Sequence, residues 1–75
     1  MNMNMKSVLI SVSTPTYAMK VKRILRGVGI NGEIIKMNTE VGKGCSHAVR
    51  INGTSLYKAA AILRDNNIQY SVLEE

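Results

Sequence analysis

The stretch that decides the fold runs from residue 31 to residue 55 and reads NGEIIKMNTEVGKGCSHAVRINGTS. A turn at Asn31-Gly32 leads into a predicted strand from Glu33 to Asn38, and a second strand is predicted from Ser46 to Asn52, with Val49 and Ile51 on one face. Residues 39–44 lie between them and contain two glycines, so they are predicted to form a loop. The middle of the chain is therefore a predicted hairpin with a glycine-rich connection.

A strand and a helix precede this hairpin. Residues 6–13 alternate apolar and small side chains, which predicts a half-buried strand. Thr14-Pro15-Thr16 is typical of a helix start, because a hydroxyl caps the first amides and proline is favoured at the first helical position. Gly27 and Gly29 are predicted to end the helix, since glycine readily adopts the left-handed conformation at a helix C-terminus.

A second helix and a last strand follow the hairpin. The helix is predicted from Leu56 to Asp65, where Asn66-Asn67 stops it. Ile68, Tyr70 and Val72 then alternate as in a strand. The chain thus repeats the pattern of its first half.

The resulting order, β-α-β-β-α-β, predicts an α+β domain with a ferredoxin-like sandwich. Its four-stranded antiparallel sheet has the strand order 4-1-3-2, with both helices on one face. Residues 6–75 are assigned to this single domain, and residues 1–5 to a disordered N-terminal segment. Because strands one and three are neighbours, the loop that carries Cys45 is expected beside the helix start at Thr14 to Thr16.

Composition restricts the partners and the location. Ten basic and five acidic side chains give a net charge of +5, which favours anionic partners such as nucleic acid, acidic proteins or anionic sulfur and selenium species. Three tyrosines are the only aromatic residues, which argues against a platform for base stacking. No apolar run approaches the ~20 residues of a membrane span, and no signal-peptide pattern is seen, so a cytoplasmic location is expected. A homodimer would add buried area to so small a domain.

The single cysteine, Cys45, is the candidate reactive group. Its loop reads Gly42-Lys43-Gly44-Cys45-Ser46-His47, where glycines let backbone amides approach the sulfur. Lys43, His47 and the start of the first helix, with the hydroxyls of Thr14 and Thr16, would stabilise a sulfur anion. Such surroundings lower the pKa of a cysteine thiol from about 8.5 to about 3.5–7.5. The sequence therefore predicts a reactive thiolate.

Other interpretations of the same residues are less specific. A lone cysteine is often a small buried apolar residue, and Cys45 would be inert if it pointed inward beneath the first helix. One cysteine and one histidine cannot form a structural zinc site, and the five carboxylates offer no convincing acid–base pair. A phosphate loop is excluded, because residues 42–46 lack the Walker spacing and precede a strand.

Two surfaces suggest partners. The first helix carries four basic residues and no acidic one, which is typical of a solvated face but also of a docking surface for an acidic protein or nucleic acid. Leu9, Ile34 and Leu73 are expected on the sheet face opposite the helices, where together they would favour dimerisation or partner contact.

Six short segments have a distinctive order and spacing along the chain: Ser13-Thr14, Val28-Gly29-Ile30, Ile34-Ile35-Lys36-Met37, Gly44-Cys45, Ala48-Val49-Arg50 and Asn67-Ile68-Gln69-Tyr70. On these features the chain, from residue 8 to residue 73, resembles a selenium/sulfur carrier-like family of small bacterial domains of unknown function. The resemblance implies a carrier cysteine, here Cys45, with Ser13 and Thr14 near it. Two positions depart from the family pattern: Ser46 stands where glycine is common, and Asn38 where proline is common. The serine reduces the freedom of the backbone to approach the sulfur.

The leading hypothesis is a carrier that accepts a persulfide or selenopersulfide on Cys45 and delivers it to an acceptor. Its anion-stabilising residues would be Ser13, Thr14, Thr16, Lys43, Gly44, Ser46 and His47. Its partners would be donor and acceptor proteins, with no cofactor, no metal and no membrane, and it would act as a carrier rather than as a stand-alone enzyme. The alternatives are a basic nucleic-acid-binding module or a dimeric regulatory module, in both of which the cysteine is incidental.

Overall fold

The computed structural model describes residues 6–36 and 47–74. Their elements are β1 (Ser7–Val12), α1 (Pro15–Gly27), β2 (Glu33–Lys36), β3 (His47–Asn52), a single 3-10 turn (Gly53–Ser55), α2 (Leu56–Asp65) and β4 (Ser71–Glu74). The predicted order of strands and helices is confirmed. The predicted disordered segment 1–5, the loop 39–44 and the adjoining ends of two predicted strands lie outside the described residues.

The strands form one sheet in the order β2-β3-β1-β4, and every neighbouring pair is antiparallel. This is the predicted order 4-1-3-2 seen from the other edge. Both helices contribute to one apolar cluster with one face of the sheet, so the ferredoxin-like sandwich is confirmed. Neither helix in the described part of the chain is long and apolar enough to cross a membrane.

The core forms where the two central strands meet the helices. Ile10 of β1 lies opposite Val49 of β3, and both are fully buried. On the helix side, Val21 and Leu25 of α1 and Leu63 of α2 are also fully buried. Val21 and Leu25 are four residues apart, so they lie on the same face of α1. Burial of such an apolar face stabilises a short helix more than the intrinsic helix propensity of its residues does.

Both helices end in the same hydrogen-bonded motif. After α1, the N–H of Ile30 donates to the carbonyl of Leu25 at 2.9 Å, and Gly29 lies in the left-handed region with φ 84°. After α2, the N–H of Ile68 donates to the carbonyl of Leu63 at 3.1 Å, and Asn67 has φ 56°. This is the Schellman arrangement, which satisfies terminal carbonyls and buries the isoleucine that follows.

The start of the last strand differs from the prediction. β4 begins at Ser71, although the alternation of apolar residues suggested a start near Ile68. The N–H of Ile68 is engaged by the carbonyl of Leu63, so this residue belongs to the end of α2. Its buried side chain mimics a strand position for that reason.

The prediction for one surface residue was wrong. Ile34 lies opposite Val49, so it is on the helix side of the sheet, whereas Ile35 is on the opposite face. Leu9 and Leu73 lie opposite each other on that second face, as predicted. Two consecutive isoleucines carry no alternation from which the facing could be predicted, and it is set by the register with β3.

Two glycine substitutions at the end of α1 are expected to have opposite effects. Gly29→Ala should lower the free energy of unfolding by about 1 kcal/mol, because alanine is disfavoured at positive φ. Gly27→Ala should raise it by about 0.5–1 kcal/mol, since Gly27 is helical and a Cβ there meets no atom within 4 Å. Urea unfolding followed by circular dichroism measures both, and two changes of equal sign would contradict the assigned cap.

Candidate functional site

The candidate site lies at the end of the sheet where β1 passes into α1. Val12, the last residue of β1, lies opposite His47, the first residue of β3. His47 also lies opposite Lys36, the last residue of β2. The ends of three strands therefore lie together at this end of the sheet, as the predicted topology required.

Four of the predicted site residues are described by the structure, and all four lie at this end of the sheet. Ser13, Thr14 and Thr16 are exposed and follow directly on β1, and His47 is half-buried across from Val12. The remaining predicted site residues, Lys43, Gly44, Cys45 and Ser46, lie outside the described residues. Their place in the site stays a prediction.

Thr14 is the cap of α1, as the sequence predicted. Its Oγ1 accepts a hydrogen bond from the N–H of Tyr17 at 3.1 Å, and its carbonyl accepts from the N–H of Ala18 at 3.1 Å. The hydroxyl proton of Thr14 is not used in either bond. Thr14 can therefore stabilise an anion only as a donor through that proton.

The first turn of α1 offers fewer free amides than a helix start normally does. The residue after the cap is Pro15, which has no N–H, and the N–H of Tyr17 is already bound to Thr14. First-turn amides have no acceptor within the helix, and the N–H of Thr16 has no acceptor among residues 6–36 and 47–74. This amide and the hydroxyls of Ser13, Thr14 and Thr16 are donors that the described residues offer at the site.

A cleft of about 580 Å³ lies at the same end of the sheet, towards β4. We call it the serine cleft; it is lined by Ser11, Ser13, Ile68, Gln69, Tyr70 and Ser71. Ser11 lies opposite Ser71, which joins the cleft to the end of β1. Its polar lining consists of hydroxyls and one amide, which can donate to an anion without carrying a charge.

Sequence reasoning missed most of the serine cleft. Ser13 was identified, but Ser11, Tyr70 and Ser71 were not, although the predicted strand order already placed β4 beside β1. This strand order could have identified them, because β4 runs antiparallel to β1 and its first residues must lie next to the last residues of β1.

Within residues 6–36 and 47–74, no three His, Cys, Asp or Glu side chains are grouped so that they could hold a metal ion. The hydroxyls and the side-chain amide at this end of the sheet can donate hydrogen bonds to an anion.

The chain matches a model of a known protein family. A family model described as "Putative Se/S carrier protein-like" matches residues 7–73, which is nearly the whole chain. No curated protein and no solved structure matches the chain significantly.

Proposed function

Since this chain belongs to the Se/S carrier protein-like family, we propose that it carries a sulfur or selenium atom on the thiol of Cys45. Cys45 is the only cysteine of the chain. The observation that supports this role best is the pairing of Val12 with His47, two residues after Cys45 along the chain. The pairing places His47 next to the end of β1, and under this proposal Cys45 reaches the donors at the start of α1 from there.

The transfer step needs no redox cofactor. The Cys45 thiolate attacks the outer sulfur of a persulfide on a donor protein. A new S–S bond forms on Cys45, the S–S bond of the donor breaks, and the donor sulfur leaves as a thiolate that takes up a proton. Delivery to an acceptor thiolate repeats this exchange in the other direction, and the selenium version replaces only the transferred atom.

The donors of the site would act on the charge of the bound persulfide. Its terminal sulfur is an anion, and a hydrogen bond from the N–H of Thr16 or the hydroxyl of Thr14 stabilises it by about 1.5–3 kcal/mol. Lys43 would add a positive charge in the same loop. In this proposal the fold holds and presents the sulfur, and a partner protein supplies the catalytic groups that release it.

Loading by a cysteine desulfurase tests the proposal. With cysteine as substrate and no added thiol, intact-mass measurement should show one sulfur atom added to the wild-type chain, and a reductant should remove it. Cys45→Ser should gain none. If the wild-type chain loads no faster than a short unstructured peptide that contains residues 42–47, the carrier role is lost.

Variants at Thr14 separate a chemical role from helix capping. Thr14→Ser keeps the hydroxyl and should load at close to the wild-type rate. Thr14→Asp keeps a capping oxygen but places a negative charge beside the sulfur anion, and it should slow loading by about tenfold. Loading rates from quenched samples measure both, with thermal unfolding as the control for the fold. Equal rates in the two variants would remove Thr14 from the site.

A further inference from the structure

A groove between α1 and the edge strand β2 lies apart from the candidate site. We call it the basic groove; it is formed by two adjoining cavities of about 310 and 220 Å³ that share Lys22 and Arg26. The larger cavity is lined by Met19, Lys22, Arg23, Arg26 and Ile34, and the smaller by Lys22, Arg26, Ile30, Asn31 and Gly32. No residue of the serine cleft contributes to it.

The cations of the groove follow from helical spacing. Met19, Lys22 and Arg26 are three and four residues apart, so they lie along one flank of α1, with Arg23 beside them. Lys20 lies on the other flank and lines neither cavity. All of these side chains are exposed.

No acid in the described part of the chain neutralises the groove. The carboxylate of Glu33 is on β2 but is paired with Arg50, at 3.2 Å, on the opposite face of the sheet. Lys22, Arg23 and Arg26 form no ion pair with another described residue. Three positive charges are therefore available to an anionic partner.

Two exposed apolar side chains also line the groove. Met19 is 58% exposed and Ile34 is 36% exposed, and they lie among the three cations. Apolar side chains of this size bury favourably against a partner but add little to the binding of a phosphate backbone. None of the side chains that line the groove is aromatic, so a base has no ring to stack on.

The edge of β2 adds a directional feature. β2 pairs only with β3 and ends the sheet, so its other edge has no strand beside it in the described residues. An extended peptide can add to such an edge through main-chain hydrogen bonds, while its alternate side chains reach the groove on the helix side.

We propose that the basic groove binds an extended acidic segment of a partner protein in which every second residue faces the groove and these facing residues are in turn carboxylate and apolar. The segment lies along β2, its apolar side chains contact Met19 and Ile34, and its carboxylates pair with Lys22, Arg23 and Arg26. Cys45 has no part in this binding, so docking and chalcogen transfer can fail independently.

Titration of the isotope-labelled full chain with the peptide Gly-Glu-Ser-Leu-Ser-Glu-Gly, in which Glu, Leu and Glu share one face, tests the proposal by NMR. Amide signals of residues 19–26 and 33–36 should shift and saturate, and those of α2 should not. The peptide Gly-Glu-Ser-Ser-Ser-Glu-Gly, which has the same charge, should bind about tenfold more weakly because it loses the apolar contact. Absence of saturable shifts up to about 1 mM of the first peptide overturns the proposal.

Charge reversal provides the matched control. Lys22→Glu/Arg23→Glu should raise the Kd by about tenfold or more, whereas Lys20→Glu/Lys58→Glu, with the same change in net charge, should raise it less than about threefold. Lys22→Gln/Arg23→Gln serves if the reversed variant unfolds, and it should also weaken binding more than the control does. Equal losses in the groove and control variants overturn the proposal.

Two further outcomes count against it. Tighter binding of an oligothymidylate at the same amides assigns the groove to nucleic acid. Shifts of these amides on simple dilution of the chain assign it to a second copy. Saturable peptide binding at unchanged chain concentration, without either effect, supports the acidic segment.

Discussion

Ile10→Ala is expected to lower the free energy of unfolding by about 3–4 kcal/mol. Ile10 is fully buried on the central strand β1, where it lies opposite Val49 on one side and Val72 on the other. The truncation removes about three buried methyl or methylene groups. It leaves a cavity, because the surrounding strands and helices can relax only in part to fill the space. A domain of this length has only about 5–10 kcal/mol of stability, so much of it is lost.

Thermal unfolding followed by circular dichroism measures this effect, with an expected decrease in Tm of about 15–25 °C. Leu9→Ala is the matched control, because Leu9 is the adjacent residue and lies on the opposite, partly exposed face. Its cost should be about 1 kcal/mol. Equal costs at the two positions would mean that the assigned facing of β1 is wrong.

The Ile10 variant also bears on function. At a temperature between the Tm of the variant and that of the wild-type chain, it retains Cys45 but loses the fold that brings β3 beside β1. Under the carrier proposal, Ile10→Ala should lose most of the selective loading by a desulfurase at a temperature where the wild-type chain stays folded. Undiminished loading of the unfolded variant would show that the fold has no part in the reaction.

Gly53→Ala is expected to cost about 2–3 kcal/mol. A Cβ on Gly53 would lie 2.5 Å from the carbonyl oxygen of Lys6, which is a main-chain atom and cannot rotate away. The N–H of Gly53 also donates to this same carbonyl at 2.8 Å, so separating the two chains breaks a hydrogen bond. Both effects loosen the contact between the start of β1 and the turn that leads into α2.

Gly27→Ala is the control for this substitution, because it is the same chemical change at a position with free space. Denaturant midpoints of the two variants should differ in the direction of lower stability for Gly53→Ala. If Gly53→Ala is as stable as the wild-type chain, the close approach to Lys6 is absent in solution.

Local chemistry made much of the fold predictable. The Thr14-Pro15 start of α1 and the left-handed residue after each helix are short-range signals, and the bounds predicted for α2, Leu56 to Asp65, agree with the structure. The start of β4 and the facing of β2 were predicted wrongly, because both depend on long-range pairing. A buried isoleucine after a helix cap has the same apolar character as one in a strand.

The candidate site was predictable in part for the same reason. Strand order placed β3 beside β1, which the register of Val12 with His47 confirms. The predicted neighbourhood of Cys45 and the helix start at Thr14 to Thr16 stays a prediction, because Cys45 lies outside the described residues. The hydroxyl of Thr14, which caps α1 as predicted, engages the N–H of Tyr17, so this amide is not available to an anion. The prediction missed the residues that β4 contributes to the serine cleft, such as Ser71. It rested on the pairing of β1 with β3 and not on that of β1 with β4.

The position of β1 between β3 and β4 has a consequence for biosynthesis. The ribosome makes β1 before the other described strands, yet its second partner, Ser71–Glu74, is made after all of them. The sheet therefore cannot close while that last strand is inside the exit tunnel, and long-range pairing of this kind slows folding. The end of the sheet at which Ser13, Thr14 and Ser71 lie is therefore completed only after that segment has emerged from the tunnel.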